Sequence, residues 1–460
     1  MNMEIRMLVA LGIGLILMIL LIAKTKLHPV MVLIFVSAGI GVAGGMDIAE
    51  IGGVIKNGFG NTLGSIGIVI GFGMMMGQIM EKSGAARVMA NTFLKLLGKK
   101  NDDLALGITG FVVSIPIFAD SGYVILLPLV KAISKATKKS IVTLGFALGM
   151  GLLLANVCVP PTPGPLAAAG IFEVNMGLFI LFSIAMCLPL IGVSTLCARY
   201  FGKKYYRIPG NEEGEFITAK NGDERDDSTE IESVDRELPS ALVSFMPIII
   251  PLLLIMISSI IGMVYGSGGE LPVILKFLNL LGNPIIAVGL GTLAAIYGLV
   301  GSTPRNEVMD IMEQGLKGAG MILLVTGAGG ALGNIISASG AGDSIAQMLS
   351  KSPIPVIVIP FVISAVLRLV QGSGTVAVIT AASLTAPILI PMGVNPIFAA
   401  FSACIGSQLF AIFNDSFYWL VVRSTGLKTV KEQISAWSFT EFITAFAGLI
   451  EILIVNAIFG

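Results

Sequence analysis

Two stretches of this chain, 256 residues apart, are nearly the same. Residues 71–85 read GFGMMMGQIMEKSGA and residues 327–341 read GAGGALGNIISASGA. They align without a gap and share seven of fifteen residues, where average residue usage gives roughly one or two. An apolar chain that carries the same glycine-punctuated segment twice is expected to consist of two structural repeats.

The solvent of those repeats is mostly lipid. Mean hydropathy is +0.93 and only 12% of residues are charged. A soluble chain of 460 residues needs far more polar surface. Apolar stretches long enough to cross about 30 Å of hydrocarbon recur along the whole length. The reading is an all-α polytopic membrane protein. Zero net charge argues against nucleic acid as a partner. The first apolar segment, 5–23, has one preceding cation and no small-residue cleavage pattern, so it reads as a retained span. Cys158, Cys187, Cys197 and Cys404 lie in apolar segments without metal-ligand spacing. His28 is the sole histidine, which excludes a multi-histidine metal site. No cofactor is expected beyond a coupling ion, H⁺ or Na⁺.

Ten full spans are expected, at 5–23, 29–45, 60–80, 141–168, 176–198, 241–263, 283–300, 319–338, 396–422 and 440–458. Segments 104–130 and 353–391 do not fit as spans. They are interrupted at Ala119-Asp120-Ser121-Gly122 and at Gln371-Gly372-Ser373-Gly374-Thr375. Arg87, Lys95, Lys99 and Lys100 precede the first of them, and Lys131, Lys135, Lys138 and Lys139 follow it. Cytoplasmic flanks collect Lys and Arg, so both ends are expected inside and the segment enters and returns. With both segments re-entrant, 23 of the 28 Lys and Arg fall inside and both termini fall outside. The repeated segments then cross in opposite directions, as two inverted-topology repeats. This divides the chain into scaffold spans (1–58), a first repeat (59–200), a charged cytoplasmic linker (201–240), further scaffold (241–318) and a second repeat (319–460). Residues 202–240 hold 11 of the 28 acids and few large apolar residues, so the linker is expected to be flexible.

Irregular backbone at membrane depth survives only where protein or a watery cavity satisfies it. Four such places are expected: the two hairpin tips, the break Asn156–Pro165 and the break Phe413–Ser416. Four prolines in six residues cannot continue an α-helix. The second arm of each hairpin would point its free N–H groups at the membrane centre, where two such ends make a receptor for a small carboxylate. Ser121, Thr162, Ser373 and Thr375 and the amides of Asn156 and Asn414 are candidates for substrate hydroxyls. Gly122, Gly164 and Gly374 lie at the same tips and breaks. Ionisable residues at depth are functional candidates by default: Asp120 and Asp415 for ion coupling, and Arg368 for a substrate carboxylate or for neutralising Asp415. Glu451 reads as a lipid-edge or packing residue and Met74-Met75-Met76 as helix packing.

Four stretches carry a resemblance: GFGMMMGQIMEKSGAARVMANTFLKLLGKK at 71–100, PPTPGP at 160–165, LRLVQGSGTVAVITAASLTAP at 367–387 and FNDSFYW at 413–419. The chain resembles the gluconate permease (GntP) family of the ion transporter superfamily over nearly its full length. The resemblance implies uptake of sugar acids or related hydroxy-acids at a bacterial inner membrane, a homodimer, and two hairpins in a mobile transport domain with elevator-like alternating access. Family members place an aromatic-Glu-Val-Gly stretch where this chain has Phe118-Ala119-Asp120-Ser121-Gly122, and histidines where it has Asn156 and Thr162. A histidine proton relay therefore cannot operate at those positions, and Asp120 with Ser121 would also suit sodium.

The expected function is cation-coupled uptake of a small hydroxy-monocarboxylate such as gluconate, with H⁺ favoured. The alternatives are a Na⁺-coupled symporter or an organic-anion antiporter of the same architecture. An intramembrane enzyme lacks support in histidine or metal chemistry. A passive channel is disfavoured because hairpins close a site instead of lining a pore.

Overall fold

The computed structural model describes residues 3–89, 92, 101–210, 215–218, 238–265, 272–339, 355–412 and 415–460. The chain begins with α1 (Met3–Lys24), α2 (Pro29–Gly44) and α3 (Ile48–Lys82). Next come α4 (Asp102–Val113), α5 (Ala119–Thr137), α6 (Ile141–Cys158), α7 (Pro163–Ile171) and α8 (Met176–Lys204). A two-stranded antiparallel ribbon, β1 (Ile208–Pro209) and β2 (Phe216–Ile217), follows. The second half opens with α9 (Ala241–Tyr265), α10 (Val273–Leu281), α11 (Pro284–Leu299) and α12 (Arg305–Ala338). It continues with α13 (Val358–Gln371), α14 (Gly374–Leu389), α15 (Pro396–Gly406) and α16 (Ser416–Ser424). It ends with α17 (Val430–Gln433), a π-helical turn (Ile434–Ser438) and α18 (Phe439–Phe459).

Local chemistry sets most helix starts. Asp47, Ser140, Asn175, Asn283 and Asn395 each accept a first-turn N–H at the start of α3, α6, α8, α11 and α15. Proline occupies the first turn of α2, α11 and α15, where its missing N–H has no intrahelical partner to lose. Gly45 at φ 93° closes α2 in the left-handed conformation.

Five described stretches are long and apolar enough to cross a membrane: Ile141–Ile171, Met176–Lys204, Ala241–Gly262, Arg305–Ala338 and Val430–Phe459. There are seven if the bent pairs Ile48–Gly64 with Gly67–Lys82, and Val273–Leu281 with Pro284–Leu299, each count as one. The structure revises several expected bounds. Helix α3 starts at Ile48 because Asp47 caps it, well before residue 60. Helix α12 starts at Arg305, so the expected boundaries at 58/59 and 318/319 cut through continuous helices. The expected broken span 396–422 is two short helices, the first ending at Gly406, earlier than the expected break at 413–416, and the second beginning at Ser416. Helix α10, not foreseen, has no buried residue and meets α11 at 67°. The start of the expected linker is docked. The Ile141 N–H donates to Arg207 O (2.8 Å), Tyr206 Oη donates to Lys138 O (2.8 Å), and Arg207 pairs with Glu432 (3.2 Å).

The two helices that carry the repeat, α3 and α12, form the central axis. Asn334 Nδ2 donates to Val54 O (2.8 Å). Gly58 lies on Gly330 and Ala331, Gly67 on Leu323, Gly71 on Leu316, and Gly315 on Met74. Residue numbers rise on one helix as they fall on the other, so the two run antiparallel. Gly67 and Leu323 are separated by the repeat offset of 256, so equivalent positions face each other at the crossing. Other packings come in matched pairs: α2 lies on α12 and α11 on α3, while α1 packs on α2 and α9 on α11. Beside this axis, α6 is buried nearly all round, as a helix apolar on every face should be. Helices α4, α5 and α8 pack on it. Asp103 at the start of α4 pairs with Arg199 of α8.

Candidate functional site

The chain leaves helix at four places in the two hairpins and two breaks. The first hairpin turns at 114–118, where Ser114 Oγ donates to Ile117 O (3.0 Å) and Pro116 interrupts the run. This is earlier than the expected tip at Ala119–Gly122. Asp120 and Ser121 instead lie in the first turn of α5, where a carboxylate favours the positive end of the helix dipole. Asp120 is exposed, Ser121 half-buried, and Gly122 buried against Leu152. The first break spans 159–162. Buried Thr162 caps α7 in position and donates its hydroxyl to Val159 O (2.5 Å).

The second hairpin turns where expected. Gly372 takes φ 74°, and Ser373 Oγ accepts the Val376 N–H (3.4 Å) at the start of α14. The second break opens earlier than expected, at Ser407, whose hydroxyl donates to Cys404 O (2.7 Å); at the start of α16, Asp415 accepts the Phe417 N–H (3.0 Å). Asn414 lies outside the described residues.

Each hairpin meets the break of the other half. A Cβ on Gly164 would stand 3.4 Å from the Thr375 backbone, so the N-termini of α7 and α14 converge. Gly374 is bordered by Val157, Arg368 Nη1 and Ser407 Oγ. On the other side, the rings of Tyr123 (α5) and Phe417 (α16) meet edge to face at 5.7 Å, and Ser424 Oγ donates to Tyr123 Oη (3.1 Å). Buried Arg368 pairs with buried Asp415 (2.5 Å) and donates to Gly372 O (2.5 Å). In this conformation the Arg368 charge is therefore engaged with Asp415. Asn156 Oδ1 is buried without a hydrogen-bond partner beside the first break.

A cavity of about 220 Å³ lies where the first tip and first break face the central axis. Its walls include Pro116, Pro161 and Thr162 on one side and Gly77, Gln78, Glu81 and Gln314 on the other. Gly77 permits the approach, since a Cβ there would strike the Pro116 carbonyl. Of the residues singled out in the sequence, Thr162 lines this cavity. Gln78 and Glu81 were not singled out, although both lie inside the repeated segment. A second cavity, about 240 Å³, lies elsewhere along the same two helices and includes Gly333, Asn334 and Ser337. Those three are the repeat equivalents of Gly77, Gln78 and Glu81. Its remaining walls are the C-terminal parts of α7 and α14, not a tip and a break. The axis presents related surfaces to two cavities, and the surrounding helices fill them unequally.

Repeated broken helices, buried polar groups at their breaks and an apolar exterior define a multi-pass helical membrane transporter. The chain matches the GntP family permease family over residues 6–458 and belongs to it. It is a permease and not an enzyme. It is 42% identical to an uncharacterized permease of Haemophilus influenzae, covering 98% of this chain and 92% of the relative. It is 32% identical to the high-affinity gluconate transporter of Escherichia coli, covering 98% and 99%. Its fold resembles the crystal structure of the Alcanivorax borkumensis YdaH transporter, with a TM-score of 0.60 at 15% identity over 90% of each chain.

Proposed function

We propose that this permease is a secondary active transporter of the bacterial inner membrane that takes up a small hydroxy-monocarboxylate such as gluconate. Uptake is coupled to a cation, H⁺ in preference to Na⁺. The observation that carries this reading is the convergence of the α7 and α14 N-termini at Gly164 and Thr375. The first turn of α7 offers the Gly164 N–H, since Pro163 and Pro165 carry none, and that of α14 the Gly374 and Thr375 N–H groups; with the positive ends of two helix dipoles these suit one carboxylate. Ser373, Thr375, Thr162 and Asn156 offer hydrogen bonds to substrate hydroxyls, and Asn414 is assigned with them from the sequence. Gly164 lets the α14 backbone approach, and Gly122 and Gly374 leave room for neighbouring side chains. Arg368 acts through Asp415, and Asp120 with Ser121 lines the approach on the α5 side. Relatives named as gluconate transporters support the substrate class.

Alternating access follows an elevator-like course in this reading. The antiparallel α3–α12 pair belongs to a scaffold related by a local two-fold, consistent with inverted repeats. The hairpins and breaks move along it as one transport domain, facing one cavity and then the other. Two copies assemble through the scaffold. Coupling rests on the buried acids of this region, Asp415 among them.

Counterflow of labelled gluconate into proteoliposomes tests the substrate class. Saturable exchange should be inhibited by unlabelled polyhydroxy-monocarboxylates and not by the corresponding neutral polyols. Equal inhibition by a neutral polyol contradicts carboxylate capture at the helix ends. Orientation has its own test. A cysteine at exposed Lys138, in a chain with the half-buried Cys197 replaced by serine, should be labelled by an impermeant maleimide only from the cytoplasm. Labelling from outside would make 104–130 a full span.

A further inference from the structure

The buried Arg368–Asp415 pair has a third member that the sequence reading passed over. Glu441, in the first turn of α18, is fully buried. One carboxylate oxygen accepts the Ala411 N–H (2.5 Å), and the other has no hydrogen-bond partner. The charged and titratable groups within its electrostatic reach are Arg368, Asp415 and Tyr418. Arg368 forms its ion pair with Asp415, and Glu441 lies near that pair as a second buried carboxylate with no ion pair of its own among the described residues. With both ionised the cluster is a buried net anion, which low-dielectric surroundings disfavour strongly. One added cation makes it neutral. The single unpartnered oxygen of Glu441 fits a proton better than a metal ion, which requires several oxygen ligands.

The surroundings are those of a working site. The π-helical turn Ile434–Ser438 leads directly into Glu441, and such turns recur at functional sites. Buried Trp437 Nε1, on that turn, lies by the Glu441 carboxylate and lacks a well-aligned partner. Ala411 belongs to the second break and is held from both sides: its N–H by Glu441 and its carbonyl by Ser438 Oγ (2.5 Å). Phe410 beside it takes φ 56°, a strained conformation for a non-glycine residue. Gln408 in the same break is buried with both side-chain polar atoms unpartnered. Four residues after Ala411, Asp415 caps α16. Glu441 thus holds the break whose following helix, α16, meets the first hairpin's second arm through Phe417 and Tyr123.

Resting on the coupled-uptake reading above, we propose that Glu441 carries the coupling proton: it is protonated from one face, neutralises the Arg368–Asp415–Glu441 cluster, and releases the proton to the other face. Glu441→Gln mimics the protonated state and keeps the acceptor for the Ala411 N–H. In proteoliposomes this variant should retain substrate counterflow, with its pH dependence flattened, and lose accumulation driven by an imposed pH gradient. Glu441→Asp should retain some accumulation. Wild-type accumulation by Glu441→Gln, or uncoupling by Asp120→Asn with Glu441→Gln fully coupled, overturns the proposal. A substrate-independent readout separates it from the choice of gluconate. The difference in melting temperature between detergent-purified wild type and Glu441→Gln should change with pH, whereas a constant difference overturns the proposal. Absence of gluconate counterflow in the wild type, with the pH-dependent difference intact, would reject the substrate and leave the proton site standing.

Discussion

Arg368→Met should lower the stability of the detergent-purified protein by about 3–5 kcal/mol and abolish transport. Methionine fills similar volume, so the effect reports charge and not a cavity. Removing the guanidinium leaves Asp415 buried without its partner and Glu441 beside it, and it frees the Gly372 carbonyl at the second tip. Breaking one side of a buried pair is more damaging than replacing both sides with apolar groups. Arg368→Met with Asp415→Leu should therefore recover much of the lost stability while remaining inactive. Thermal unfolding of the wild type and the two variants checks this. A single variant as stable as the wild type would show that the pair does not hold the second hairpin to the second break.

Gly151→Val should be the most damaging single change outside the site. Helices α4 and α6 approach so closely that a Cβ on Gly151 would collide with the Gly107 carbonyl and come within 3.0 Å of the Phe111 nitrogen. Small residues permit such approach in membranes. Both obstacles are backbone, so no side chain can turn aside, and α4 must move with the first hairpin tip it carries. Overpacking of this kind costs about 1–3 kcal/mol, and a backbone obstacle belongs at the upper end. Gly52→Ala is the control, because nothing lies within 4 Å of its Cβ and alanine favours helix. Melting temperature and counterflow should both fall for Gly151→Val and hold for Gly52→Ala. Unchanged behaviour of Gly151→Val would contradict the tight α4–α6 packing.

The repeat was legible because both copies lie on the two helices that cross at the centre, where glycine and small residues are required for contact. The breaks were legible as proline and glycine, which interrupt helix through the backbone itself. Their exact positions were less so. The first tip falls at Pro116 and not at Asp120, because an acidic residue and a serine can begin a helix as readily as end one. The second break begins at Ser407, in a sequence of ordinary helix formers, because tertiary contacts through Ala411 and Glu441 hold it open. Glu441 sits at the edge of an apolar run, where an acid normally meets water, so only packing reveals its burial. The meeting of α7 with α14 and of α5 with α16 could not be read from one chain's order, since it depends on how the halves interleave.

Coupled accumulation is read by uptake of labelled gluconate into proteoliposomes under an imposed pH gradient, with a Na⁺ gradient and no gradient as comparisons. Gluconate should concentrate above the external level with the pH gradient, collapse to it on adding a protonophore, and only equilibrate without a gradient. Equilibration under every condition would contradict coupled accumulation, since a carrier that never exceeds the external concentration has no coupled site.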